Sequence, residues 1–253
     1  MDKSRRLLDR LDAIGHSLDR SGHALALIGL GSVGLELARL DEHSDLDFFA
    51  IVEEGCKRGY LDDLSWLSDL CPIAYCFRNT DDGCKLLFAD DIFCEFAVFE
   101  LPELDAISYA PGRIVWKQPH VAATLAIPAH LPEAPPSREV AWLLGEALTN
   151  LYVGLERDRR GETLSALRFI QQYAVDRLLE LAGQIEPEQP AGKDSFTQER
   201  RFEQRFPGVT ARLPAFMQGY RRNRESAAAI LDFLEEHFAV DPAMSAALRG
   251  KMR

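Results

Sequence analysis

Two aspartates one residue apart, Asp45 and Asp47 in SDLDFFAIVEE, are residues whose types and spacing could do chemistry. Alternate side chains of an extended strand share a face, so both carboxylates project together. Such a pair offers a few hard oxygen ligands and leaves the other coordination positions to water and phosphate, which is how proteins hold Mg²⁺. The apolar FFAIV that follows would anchor the strand against drift. A third acid, Glu95, falls in the middle of the apolar FCEFAVFE, where an unpartnered carboxylate is costly to bury. Its expected partner is a metal ion or a substrate hydroxyl, and if its strand lies beside LDFFAIV it points at the aspartate pair. The alternative is that Glu95 occupies the solvent face of an edge strand.

Gly31-Ser32, upstream of the pair, supplies a further element. A Gly-Ser turn at a helix start offers free N–H groups, a hydroxyl and the positive end of a dipole, all suited to triphosphate oxygens. An ordinary serine cap gives the same local pattern. The stretch also carries Gly29, Gly31 and Gly34 in the G-x-G-x-x-G spacing of a dinucleotide fold, with Glu53 about where a ribose-binding acid would fall. Architecture speaks against that reading. Between Gly34 and LDFFAIVEE the charged DEHSD leaves only about two helical turns for a crossover, and no further βαβ units follow. A glycine-rich strand-to-helix turn without a cofactor also fits this spacing.

The elements that must position these residues follow from periodicity. Apolar Leu7, Leu8, Leu11, Ile14 and Leu18 predict a helix over 3–20; ALALIGL reads as a buried strand; LDFFAIVEE is a second strand. YLDDLSWLSDL predicts one helix, PIAYCFR a third strand, CKLLFADDIFCEFAVFE a hairpin turning at Ala89-Asp90-Asp91, and GRIVWK another short strand. The proline-rich PAHLPEAPPS (128–137) predicts a linker. Beyond it REVAWLLGEALTNLYVGLERD and GETLSALRFIQQYAVDRLLELAG predict a helical hairpin pivoting near Arg160-Gly161. A polar loop, QIEPEQPAGKDSFTQE, and a long helix, YRRNRESAAAILDFLEEHF, complete it. Arg200, Arg201 and Arg205 form either one basic face of a surface helix or a group reaching the triphosphate. Trp66, Trp116 and Trp142 each sit in an apolar periodic segment and are expected in the core.

Composition narrows the function classes. With 253 residues and 47 % apolar content the chain can fill real cores. A net charge of −11 argues against nucleic acid as a partner and suits a cationic or neutral small substrate. No apolar run approaches the roughly 20 residues of a membrane helix, and the start lacks a signal-peptide core, so the expected address is cytoplasmic and membrane-free. Five cysteines without a C-x-x-C pattern predict packing roles, and the six histidines show no ligand spacing.

Taken together, Gly31-Ser32, then Ser44-Asp45-Leu46-Asp47 on a strand, then a later strand with one acid, resembles the nucleotidyltransferase superfamily. Antibiotic-modifying enzymes, the polymerase-beta type palm and bacterial toxin–antitoxin transferases belong to it. ALTNLYVGLERDRRGETLSAL is similar to the corresponding helices of lincosamide nucleotidyltransferases, with Asn150-Leu151-Tyr152 ahead of Arg160-Gly161-Glu162. One departure is the long VGLELARLDEH before the aspartate pair, which predicts a full helix after the turn.

The resemblance implies an α+β fold: an N-terminal mixed β-sheet palm flanked by helices (1–130) and a C-terminal all-α helical bundle on the acceptor side (137–253). It implies Mg²⁺-dependent transfer of a nucleoside monophosphate from an NTP, ATP foremost, to a hydroxyl of a small antibiotic-like acceptor, releasing pyrophosphate. Asp45, Asp47 and Glu95 would hold Mg²⁺, with Glu95 also a candidate general base; Gly31, Ser32 and Ser44 would contact the nucleotide. A homodimer is a further expectation. The alternatives are a non-catalytic nucleotide-binding or scaffold protein derived from this fold, and a protein-modifying transferase of toxin–antitoxin type.

Overall fold

The computed structural model describes residues 2–132, 138–191 and 197–253, so much of the expected linker and part of the polar loop near 192–196 lie outside the described residues. The chain divides into two compact units, residues 1–133 and 134–253.

The first unit opens with α1 (Lys3–Ser21), capped by the Asp2 side chain and ended by Gly22 in the left-handed region. Leu7, Leu11, Ile14 and Leu18 recur at helical spacing and are fully buried against the sheet. Six strands follow: β1 (Ala24–Gly29), β2 (Leu46–Val52), β3 (Ile73–Arg78), β4 (Gly83–Phe88), β5 (Phe93–Glu100) and β6 (Arg113–Lys117). Their order across the sheet is β3-β4-β5-β2-β1-β6. Every pairing is antiparallel except β2 with β5, which run parallel at the centre. The sheet is therefore mixed, and the central strands are covered on both faces. One core packs Leu46, Phe48, Phe96 and Val98 with α1; another gathers Ile28, Ile51, Phe99 and Tyr109 on the opposite face.

Between β2 and β3 the expected single helix is two short ones, α2 (Lys57–Asp62) and α3 (Ser65–Ser68). Asp63 breaks it: its backbone is extended and its carboxylate accepts from the Ser65 N–H (2.9 Å), which starts a new helix. Trp66 on α3 meets the stacked Phe48 and Phe96 rings edge-on.

The second unit contains helices and no strand among its described residues. α4 (Val140–Arg159) pairs with a rod made of α5 (Thr163–Leu167), a π-helical segment (Arg168–Ala174) and α6 (Val175–Leu181). Three one-turn helices, α7 (Phe202–Arg205), α8 (Pro207–Thr210) and α9 (Leu213–Phe216), lead to α10 (Asn223–His237) and α11 (Pro242–Met252). α10 begins three residues later than the apolar pattern suggests, and α11, capped by Asp241, is an element that pattern missed. Trp142 is exposed and lies under the Arg138 guanidinium instead of in the core, whereas Trp66 is buried and Trp116 partly so.

Candidate active site

β2 begins at Leu46, so Asp45 lies just before the strand and Asp47 within it. Because β2 and β5 are parallel and in register, Asp47 pairs directly with Glu95. Leu46, Phe48, Cys94 and Phe96 point into the core, which turns Asp47 and Glu95 onto the opposite face. The Phe48–Phe96 stack, centroids 5.3 Å apart, immobilises the backbone immediately beneath both acids. Burial pushes the Cys94 thiol well up, and the Asp47 and Asp45 carboxylates add to the effect, so Cys94 is an inert packing residue.

Glu95 differs from the sequence expectation in its surroundings. Its carboxylate is 45 % exposed, not buried. Lys85, its cross-strand partner on β4, forms an ion pair with it (3.2 Å), and Asn79 Nδ2 donates to it (3.3 Å). Neither neighbour stood out in the sequence. Lys85 was legible in principle, since it alternates with the core-facing Cys84 and Leu86 and so had to share a face with Glu95 once the hairpin register was fixed.

The glycine-rich segment is a tight turn, with no α-helix after it. Gly31–Val33 and Leu37–Arg39 form two short 3-10 turns, and the full helix expected over VGLELARL does not form. Two causes act together. Gly34 adopts a non-helical backbone, and Leu35 and Leu37 are exposed, so a helix here would have no apolar stripe to bury. The three glycines serve this turn. A Cβ on Gly29 would come 2.7 Å from the Val33 carbonyl, one on Gly34 2.6 Å from the Gly29 carbonyl, and Gly31 sits at φ +51°. The turn is clamped at its other side by Arg113, whose guanidinium donates twice to the Val33 carbonyl (3.0 and 3.3 Å). Gly31 lies against the acids: a Cβ there would be 3.7 Å from Asp47 Oδ2. Leu30 N–H donates to the Asp47 carbonyl (2.8 Å), fixing the turn to the strand. Ser32 is half-buried in this turn.

Ser44 is engaged elsewhere: its hydroxyl donates to Asp41 Oδ1 (3.1 Å) and accepts from the Asp41 N–H (3.0 Å), closing the loop before Asp45. The Asp41 carboxyl is held below the usual carboxylate range, first by the His43 N–H and then by the Ser44 hydroxyl. Of the basic cluster, Arg205 is neither a solvated face nor a free cation: its side chain is 4 % exposed and pairs with Glu188 (2.6 Å). Arg160 and Glu162 are exposed at the turn between α4 and α5.

The donor set fits a hard divalent cation in chemistry: carboxylates on one face, flanked by a polar turn. As placed, Asp45, Asp47 and Glu95 are not drawn into a group whose oxygens all lie within 4.8 Å of one another among the described residues. A cation shared by all three would have to draw Glu95 from Lys85.

No protein-family model and no curated protein sequence matches the chain. Among solved structures it is similar to an aminoglycoside 6-adenyltransferase from Bacillus subtilis (11% identity, 96% of this chain and 90% of that one, TM-score 0.35). It is also similar to a nucleotidyltransferase-like protein from Exiguobacterium sibiricum (12% identity, 96% and 75%, TM-score 0.32). A third is the STING-associated CdnE c-di-GMP synthase from Capnocytophaga granulosa (12% identity, 100% and 80%, TM-score 0.31). No helix among the described residues is long and apolar enough to cross a membrane.

Proposed function

We propose that this chain is a nucleotidyltransferase that moves a nucleoside monophosphate from an NTP to a hydroxyl of a small, antibiotic-like acceptor and releases pyrophosphate. The observation that carries the reading is the pairing of Asp47 with Glu95 across the two parallel central strands, with the Gly31 turn against the Asp47 carboxylate. Asp45 and Asp47 would hold Mg²⁺, with Glu95 as a further ligand. The bound ion would neutralise triphosphate charge and orient the α-phosphorus for in-line attack.

The chain's own groups do the rest. Gly31 leaves room beside Asp47 for a phosphate to approach the turn, and the Ser32 hydroxyl can donate to it. Glu95, half-exposed, can accept the acceptor hydroxyl's proton, and the Lys85 ammonium, paired with the carboxylate before the transfer, positions it on β5 until then. Arg113 keeps the turn in register by holding the Val33 carbonyl. On this reading the unit over 1–130 is catalytic and the helical unit over 137–253 borders the acceptor. ATP is the first donor to try, a cytoplasmic location fits the substrates, and a homodimer would be the assembly to look for.

The test is pyrophosphate release with Mg²⁺, a panel of NTPs and hydroxylated acceptors. Asp47→Asn is expected to abolish turnover, and Glu95→Gln to lower it by about 10²-fold or more. Full turnover in Asp47→Asn would overturn the assignment. The Lys85–Glu95 ion pair favours a second reading, a nucleotide-binding protein without catalysis. That protein would bind Mg·NTP and release no pyrophosphate across the panel. A protein-modifying transferase would instead label a polypeptide acceptor.

A further inference from the structure

At the other end of β2 from Asp47, three side chains of different donor type meet. His23 precedes β1, Glu53 follows β2 and Cys56 starts α2; one ligand atom from each lies within 4.8 Å of the others. Asp47 and Glu53 are about 20 Å apart along an extended strand, so this group is separate from the candidate active site. The backbone holds it in place. Glu53 N–H donates to the His23 carbonyl (2.9 Å), extending the β1–β2 ladder past Ala24 and Val52. Cys56 N–H donates to the Glu53 carbonyl (3.1 Å) across a turn at Gly55. Glu100 Oε1 accepts from the N–H groups of Gly55 (2.8 Å) and Lys57 (3.4 Å), tying the thiol-bearing turn to the end of β5. The ligands are therefore carried by paired strands and a braced turn.

We propose that His23, Glu53 and Cys56 bind a thiophilic transition-metal ion, Zn²⁺ foremost. Zn²⁺ takes imidazole, carboxylate and thiolate at about 2.0–2.3 Å in a tetrahedron, which separates its ligands by roughly 3.3–3.8 Å, inside the span found here. His23 Nδ1 and Glu53 Oε2 stand 2.8 Å apart, so they open by only a fraction of an ångström to admit the ion. Imidazole and thiolate donors select against Mg²⁺ and Ca²⁺, which take oxygen ligands. On binding, the Cys56 thiol loses its proton to solvent, and the neutral imidazole carries its own on Nε2 with Nδ1 turned to the metal. His23 and Glu53 are 62% and 50% exposed, which gives the ion access and leaves the fourth position to water.

The experiment uses the full-length protein stripped with a chelator and then titrated with Co²⁺, and with Zn²⁺ against a chromophoric competitor. One equivalent of Co²⁺ should give a thiolate-to-cobalt charge-transfer band that Zn²⁺ displaces. Cys56→Ser should remove the band, and His23→Ala should weaken Zn²⁺ binding by at least about tenfold. Cys76→Ser, an exposed cysteine on β3, should change neither. Circular dichroism of each variant reports that the fold is kept. A wild type without one-to-one binding, a band that survives Cys56→Ser, or unchanged affinity in His23→Ala would each overturn the proposal.

Discussion

Gly34 leaves no space for a side chain, because an added Cβ would press on the Gly29 carbonyl at 2.6 Å and on the Leu30 backbone at 2.8 Å. Gly34→Ala is thus expected to cost about 1–3 kcal/mol in urea denaturation, since backbone atoms cannot step aside as a flexible side chain would. Gly31→Ala meets only ordinary contact and should cost about 1–2 kcal/mol, through its left-handed backbone. A milder change probes the acids. On the proposed function, Lys85→Gln frees Glu95 from an exposed ion pair worth about 1 kcal/mol at most, so the Mg²⁺ concentration needed for half-maximal pyrophosphate release should fall, by up to about fivefold. A rise instead would mean that Lys85 contacts the phosphates directly and that its pairing with Glu95 is secondary.

At the scale of elements, α1 is pinned to the β4–β5 turn by Asp90, which accepts from Arg6 and Arg10 at 2.9–3.1 Å. Burial works against the Asp90 charge, yet Arg10 and Arg6 outweigh it and hold its carboxyl below the usual carboxylate range. A depressed folded-state pKa stabilises the fold above the unfolded value of about 3.9, and the contribution is lost as pH falls through the folded value. Asp90→Asn should therefore lower the urea midpoint at pH 7, and the gap to wild type should close as the pH drops below about 4. In the helical unit, the π-helical segment carries Gln171, whose buried amide donates to Asn223 Oδ1 (2.8 Å) and the Gly219 carbonyl (2.9 Å) and accepts from the Gly219 N–H (2.8 Å). Asn223 passes the network on to Asp158 and the Thr163 carbonyl. Gln171→Ala strands these groups and should cost about 1–3 kcal/mol, read from thermal or urea unfolding.

For the whole molecule, the two units have separate cores: Leu7 to Val98 with the Ile51 cluster in one, Leu143 to Leu248 in the other. Residues 138–253 expressed alone are expected to keep helical circular dichroism and to melt cooperatively. A fragment that melts without a transition would mean that its core depends on the first unit. The same separation explains why the strands and main helices were legible: Leu7, Leu11, Ile14 and Leu18 on α1, or Phe48, Ala50 and Val52 on β2, declare a buried face by period alone. Short pieces were not. Asp63 divides a predicted helix through one side-chain bond, and Leu35 and Leu37 mimic a helical pattern that nothing covers.

The sequence by itself determined the local alphabet: which segments form the strands and the long helices α1, α4 and α10, where glycines force a turn, and that Asp45, Asp47 and Glu95 are acids set in or beside apolar strands. Those properties depend on neighbours within a few residues, and period and backbone sterics encode them. Partners separated by long stretches of chain were decided only by tertiary structure. The parallel register that sets Glu95 beside Asp47, the hairpin that gives Glu95 to Lys85, the burial of Arg205 on Glu188, and the meeting of His23 with Glu53 and Cys56 all arise from strand pairing or helix packing. Register and packing are settled by the burial of whole faces at once, so no single residue announces them.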